Sequence, residues 1–284
     1  MYDNEPSSNT KTDTVAAKNK CAANTQQNKA DFKIDLNSLS TVKRVIAVVS
    51  GKGGVGKSLV TALLASCCQR MGKNCAILDA DITGSSICKN LGIAGRADYN
   101  ENGILPKIAS CGVKAIAANM FLNDESDPII WRSPLIVSMV KQFWSDVIWD
   151  NIDYMFIDLP PGTGDIPLTI YQSLPIDGIV VITSPQDLVS VIVKKAIKMS
   201  LIMKIPVLGI IENYAYFHCP DNGLDYNVFG PSHLPELAAA YNLDILAQLP
   251  IDPKIAIACD NGRISDVHLP QIETCCKVIL SRLE

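Results

Sequence analysis

Two kinds of apolar run alternate along this chain from Thr41 onward. The first kind is short and apolar throughout, rich in Val and Ile: Val45–Val49, Cys75–Leu78, Val113–Ala117, Tyr154–Ile157, Gly178–Thr183, Val207–Ile211 and Ile245–Leu249. Such blocks predict strands buried on both faces. The second kind is longer, with apolar positions at helical spacing: Leu59–Arg70, Ser133–Val147, Asp187–Met203, His233–Tyr241 and Leu269–Leu283. Strands without a polar face, separated by helices, predict an α/β architecture: a doubly wound, mostly parallel sheet flanked by helices. In such a sheet ligands bind beyond the carboxyl ends of the strands. Residues 1–40 differ: polar, rich in Asn, Thr, Lys, Ser and Ala, with scattered apolar positions. They predict a disordered polar tail, leaving 41–284 as a single domain.

The first strand leads into a recognisable loop. Gly51-Lys52-Gly53-Gly54-Val55-Gly56-Lys57-Ser58 fits the phosphate-loop pattern G-x-x-x-x-G-K-S/T, with a strand before it and a helix after it. Glycines let backbone N–H groups turn toward phosphate oxygens, and the new helix aims its positive end at the same anion. Lys57 is expected at the outer phosphates and Ser58 at Mg²⁺. The motif and its setting thus predict a P-loop NTPase domain, with ATP and Mg²⁺ as the expected cofactors.

Three further strand ends carry polar groups. Asp79 and Asp81 close the second strand; Asp81 is expected to position the attacking water, and Asp79 either supports the Mg²⁺ shell or caps the following turn. Phe156-Ile157-Asp158-Leu159-Pro160-Pro161-Gly162-Thr163-Gly164-Asp165 ends an apolar strand on Asp158, the expected Mg²⁺-holding carboxylate, and continues into a loop able to act as a switch. Asn213 ends a later strand and is assigned to adenine, with turn capping as the alternative.

Composition narrows the rest. The chain has 284 residues, 48% of them hydrophobic, with 25 basic and 29 acidic side chains and a net charge of −4, so no basic footprint for nucleic acid is present. Neither an export signal nor an apolar stretch of membrane-spanning length is apparent, and the predicted location is cytoplasmic. Ten cysteines in that setting read as free thiols, mostly small buried apolar residues. No pair has C-x-x-C spacing.

Lys52, directly after the first glycine, resembles the deviant phosphate loop of the MinD/ParA/Mrp/nitrogenase-iron-protein class. The resemblance implies a homodimer enclosing two ATP molecules, with Lys52 reaching the partner's nucleotide. The segments LDADITGSSICKNLGI, FIDLPPGTGD, IIENYAYFHCPDNG and LPIDPKIAIACDNG together resemble the Mrp/ApbC-type iron–sulfur cluster carriers from about Thr41 to near the C-terminus. This implies ATP binding and hydrolysis, with catalytic roles for Lys52, Lys57, Asp81 and Asp158, and delivery of clusters to apo iron–sulfur proteins or exchange with assembly factors. The family usually has C-P-x-C, giving four thiolates across the dimer axis for a 4Fe–4S cluster. Here the run is Cys219-Pro220-Asp221-Asn222, so Cys219 alone supplies a thiolate. His218 is then an ordinary loop histidine, or with Cys219 half of a two-Cys, two-His set. Two other readings remain open: a MinD/ParA-like positioning ATPase, and a cluster-free switch that keeps the ATPase. Trp131 and Arg132 are candidate partner contacts.

Overall fold

A computed structural model describes residues 33–122, 133–185 and 190–284. Cys21 and most of the predicted tail, Trp131 and Arg132, and the first residues of the helix expected from Asp187 lie outside them. Residues Ile34–Glu284 form one compact unit.

The elements follow the alternation read from the sequence: β1 (Thr41–Ser50), α1 (Lys57–Arg70), β2 (Cys75–Asp79), α2 (Ile87–Leu91), β3 (Asp98–Asn100), β4 (Gly103–Leu105), β5 (Lys107–Ile108), β6 (Lys114–Ile116), α3 (Ser133–Ser145), β7 (Asn151–Asp158), α4 (Asp165–Ser173), β8 (Gly178–Thr183), α5 (Ser190–Met203), β9 (Val207–His218), β10 (Asp225–Tyr226), α6 (Leu234–Tyr241), β11 (Ile245–Pro250), α7 (Pro253–Asp260) and α8 (Pro270–Leu283). The main sheet runs β10-β9-β8-β1-β7-β2-β6-β5, with β11 also pairing β9. Its core pairs are parallel; β5 against β6 and β10 against β9 are antiparallel. β1 lies between β7 and β8, with Ile46 opposite both Phe156 and Gly178. The chain passes from β1 outward to β2 and β6, returns at β7, then crosses to β8, so β1 ends where the winding direction reverses. Doubly wound sheets open their ligand crevice at that point.

Side chains of β1 alternate between two cores. Val45, Ala47 and Val49 join one built with α3, α4, α5 and α6, around Phe143 and Trp149. Ile46 and Val48 join the other, built with α1, α2, α7 and α8. Covering both faces accounts for strands with no polar face.

Three features depart from the sequence reading. The packed unit begins at Ile34, inside the stretch assigned to the tail: Ile34 N–H donates to Ser173 O (3.0 Å), the Trp144 indole donates to Ile34 O (2.9 Å), and Ile34 and Leu36 pack on the core. Two alternating apolar residues suffice to dock that strand-like lead. β9 continues through Glu212 and Asn213 to His218, so Asn213 lies inside the strand rather than at its end, with a bulge against β11 and Tyr214 at φ 59°. Short helices α2, α4 and α7 were not expected, because each presents too few apolar positions to show a period.

Candidate functional site

The loop between β1 and α1 turns tightly at Gly54 (φ 84°) and Gly56 (φ 80°), a left-handed geometry that favours glycine. Val55 between them is buried and anchors the loop. The Gly56 position is also closed sterically: a Cβ there would lie 2.2 Å from Asn213 Nδ2 and 3.2 Å from the Tyr214 hydroxyl. Asn213, assigned above to adenine, is 2% exposed, and its Nδ2 donates to Val55 O (3.0 Å), bracing the loop from behind.

At the front of the loop the fold brings Lys57 and Ser58 together with the carboxylates read at two strand ends, Asp79 and Asp81 at and just after the end of β2 and Asp158 on β7. Asp158, at the tip of β7 and fully buried, accepts from Ser58 Oγ (2.5 Å) and pairs with Lys57 Nζ (2.8 Å) through Oδ2. Its Oδ1 accepts from Thr61 Oγ1 (2.8 Å). Lys57 Nζ also lies 3.4 Å from Asp81 Oδ2. Asp79 Oδ1 accepts from the Asp81 amide (3.0 Å) and Oδ2 from Ser85 Oγ (2.8 Å), so this carboxylate orders the turn after β2. Lys52 lines the same cavity, of about 730 Å³, with Asp81, Asn90, Pro160 and Cys259.

The electrostatics follow from the crowding of acids around one buried ammonium. Burial opposes the Lys57 charge, but Asp158, Asp81 and Asp79 together outweigh it and raise the lysine pKa. Asp79 is pushed up to about 8, by burial first and the Asp158 charge second, with Lys57 acting against both. Burial also raises Asp81, again opposed by Lys57. The site therefore holds an excess of acids in low dielectric. Its oxygen donors, the Ser58 hydroxyl and the Asp158 carboxylate in direct contact, match what Mg²⁺ takes.

The segment after β7 is tied to this centre. Leu159 N–H donates to Val48 O (3.1 Å) and Gly162 N–H to Ser50 O (2.9 Å), with Gly162 at φ 92°. The loop from Pro160 to Gly164 thus hangs on the strand that carries the phosphate loop.

Cys219 is not part of this centre. It sits on the β9–β10 hairpin, where its N–H donates to Leu224 O and its O accepts from Gly223 N–H (2.9 Å each). Asn222 locks the same turn: its Nδ2 donates to the Tyr226 hydroxyl (2.7 Å) and its Oδ1 accepts from Leu224 N–H (3.0 Å). His218 Nδ1 is engaged with Asp225 Oδ1 (2.7 Å) at the surface. Among the described residues, no group of three or more His, Cys, Asp or Glu within one chain is disposed to hold a metal ion.

Thr61 and Ser85 were missed by the sequence reading. Thr61 had a signal, since it falls four residues after Lys57 on the same helix face. Ser85 had none, because the turn that folds it back onto Asp79 has no period.

Residues 41–281 match the family described as ParA, NUBPL iron-transfer P-loop NTPase. The chain is similar to an "iron-sulfur cluster carrier protein" of Methanocaldococcus jannaschii, 41% identical over 89% of this chain and 88% of that one. It is equally similar, at 41%, to one of Aquifex aeolicus, matching over 82% of this chain but spanning only 64% of that relative's length. Among solved structures, a nucleotide-binding protein of Archaeoglobus fulgidus in complex with ADP superposes with TM-score 0.73 at 40% identity, covering 82% of this chain and 91% of that one. The cell-division ATPase MinD of Pyrococcus furiosus superposes at 0.57 with 19% identity, over 84% and 99% of the two chains, and shares the fold.

Proposed function

Since the chain belongs to the ParA family of NUBPL iron-transfer P-loop NTPases, we propose that it is a cytoplasmic, dimeric ATPase that binds iron–sulfur clusters and passes them to apoproteins. The observation that carries the ATPase half is the contact of Lys57, Ser58 and Asp158 at the mouth of a glycine loop closed by Asn213.

The chemistry assigned to these residues is positional and electrostatic. Amides of Gly53 to Ser58 and the start of α1 cradle the phosphates. Lys57 exchanges its carboxylate partners for phosphate oxygens. Ser58 and Asp158 would hold Mg²⁺, which would supply positive charge at the phosphates, and Asp79 would support that arrangement through the turn it orders. Asp81, half-buried beside the cavity with a raised pKa, orients water toward the terminal phosphate and accepts its proton. Lys52 reaches the nucleotide of a second protomer. Asn213 holds the loop and contributes to the adenine pocket. Release of phosphate frees the loop from Pro160 to Gly164, and that motion is the signal to the cargo site.

The cargo site is the β9–β10 hairpin, where a dimer supplies two Cys219 thiolates. Iron and acid-labile sulfide in protein purified without oxygen test this reading. Cluster content that falls in Cys219→Ala supports it; content near zero in the wild type, or unchanged in the variant, overturns the carrier half.

One observation favours a second reading, a nucleotide switch without cargo. Asn222 stands where the family has its second cysteine and uses both ends of its amide to lock the hairpin. A positioning ATPase on membranes gains no such support. The last helix, α8, buries Ile272, Cys275, Cys276, Ile279, Leu280 and Leu283, so its apolar face is already spent on the core. No described helix is long and apolar enough to cross a membrane.

A further inference from the structure

The cavity in front of Lys57 has a second wall, to which α2 contributes Asn90 and α7 contributes Cys259. These two short helices are clasped at their ends. Each is followed by a glycine in the left-handed region, Gly92 at φ 66° and Gly262 at φ 64°. Gly92 N–H donates to Lys89 O (3.2 Å) and Gly262 N–H to Cys259 O (3.0 Å), which closes each last turn. The two turns meet backbone to backbone, since a Cβ on Gly92 would lie 2.5 Å from Gly262 O. An ion pair from Lys89 to Asp260 (3.3 Å) spans the same junction at the surface. The clasp fixes Asn90 and Cys259, which shortly precede these glycines, on one side of the cavity.

Asn90 stands out on that wall. It is 8% exposed, and its backbone N–H donates to Ser86 O (3.0 Å). Its side-chain amide has no hydrogen-bond partner among the described residues. The other buried polar side chains around the cavity are satisfied: Asp79 by Ser85, Asp158 by Thr61 and Asn213 by Val55. An amide desolvated without a partner destabilises the fold that holds it, and a ligand that supplies the partner accounts for its presence.

The surroundings narrow what that ligand offers. Leu59, Ser86 and Cys259 line the cavity with Asn90 and are uncharged; burial first, then the Asp260 charge, raises the Cys259 pKa, so the thiol keeps its proton. Phosphate charge is met elsewhere, by Lys57, Lys52 and the glycine loop, which leaves the neutral wall to the uncharged nucleoside. Asn213 spends its Nδ2 on Val55 O, so the unspent amide is that of Asn90. A carboxamide places an acceptor beside a donor, and adenine offers the complementary pair, its N6 amino group beside N7. Guanine has an acceptor, O6, in place of that amino group.

We propose, on the reading that this cavity holds ATP, that Asn90 is a base-selecting residue, pairing Oδ1 and Nδ2 with the adenine edge and so favouring ATP over GTP.

Calorimetry of the full-length protein with the magnesium complexes of ATP, GTP and inorganic tripolyphosphate tests this. The wild type should bind ATP at least about tenfold more tightly than GTP. Asn90→Ala and the near-isosteric Asn90→Leu should each lose about tenfold in ATP affinity and bring ATP and GTP within about threefold of each other. Both should keep the wild-type affinity for tripolyphosphate, which a damaged phosphate loop would not. Nucleotide-free Asn90→Leu should melt at or above the wild-type temperature, because no protein hydrogen bond leaves with the amide. Unchanged ATP affinity in both variants, equal losses of ATP and tripolyphosphate, or a lower melting temperature for Asn90→Leu overturns the role of Asn90 and leaves the nucleotide site standing. A wild type that binds none of the three ligands overturns the nucleotide site itself, and the role of Asn90 with it.

Discussion

Replacing Lys57 by methionine tests the charge balance at the centre of the site. Methionine keeps much of the aliphatic stem and removes the ammonium. That ammonium is 2.8 Å from Asp158 and 3.4 Å from Asp81, with 5% of its side chain exposed. At an effective dielectric of ~20 each attraction is about 5–6 kcal/mol before the cost of burial. Removing one partner of a buried pair has a net cost of about 3–5 kcal/mol. For a domain of this size that corresponds to a melting-temperature loss of roughly 10 °C. The loss depends on pH, and its sign can be worked out. Asp79, pushed up to about 8, is an acid whose folded pKa exceeds its unfolded value. Its stabilising contribution is full below the unfolded value of 3.8 and is lost as pH rises through about 8. Lys57 works against the rise at both Asp79 and Asp81. Without it both carboxyls move further up and take protons more readily. At about pH 6 the variant relieves its charge excess by protonation; at about pH 9 it does so only at a proton-uptake cost. Thermal melts of nucleotide-free protein should therefore show the full deficit near pH 9 and less than half of it near pH 6. A deficit independent of pH, one larger at pH 6, or none at all would refute this account.

Three other outcomes are expected. Gly56→Ala forces a Cβ into the space of Asn213 Nδ2 at φ 80°, so it should cost about 2 kcal/mol or more in urea unfolding and abolish heat of nucleotide binding in calorimetry. Asp158→Asn removes the charge that holds Lys57, Ser58 and Thr61, and phosphate-release assays should show hydrolysis falling by at least about a hundredfold, with a higher magnesium requirement. Asn222→Cys supplies the second thiolate while giving up the bonds to Tyr226 and Leu224; anaerobic reconstitution should raise iron and sulfide per dimer, and the hairpin should exchange amide hydrogens faster.

The sequence exposed the candidate nucleotide site more fully than its surroundings, and the reason is physical. Gly54, Gly56, Lys57 and Ser58 are adjacent, so backbone geometry and side-chain chemistry are written in one string. Asp79 and Asp158 each end an apolar strand, and a charge at that position is conspicuous against the run before it. What a string cannot display is convergence. Asn213 was visible at a strand end, but its hold on Val55 depends on β9 running past Ile211, and β9 does so because Glu212 is satisfied inside the sheet by Ser232 and Gln248. The cysteines show the same limit in reverse. Their count suggested ordinary buried thiols, and Cys67, Cys68, Cys75, Cys88, Cys275 and Cys276 are buried, whereas Cys111, Cys219 and Cys259 are partly exposed. The packing of α8 on α1 sets Cys276 against the helix that carries Cys67 and Cys68, its Sγ 3.7 Å from Leu64 O, although the two segments come from opposite ends of the domain. At Asn222 the sequence registered a missing thiolate, whereas the structure shows what took its place. An amide that donates to Tyr226 and accepts from Leu224 ties the turn together through its own side chain. On the proposed carrier reading, a hairpin held that way offers Cys219 in an ordered turn, and cluster binding would rest on how tightly two protomers bring two such hairpins together.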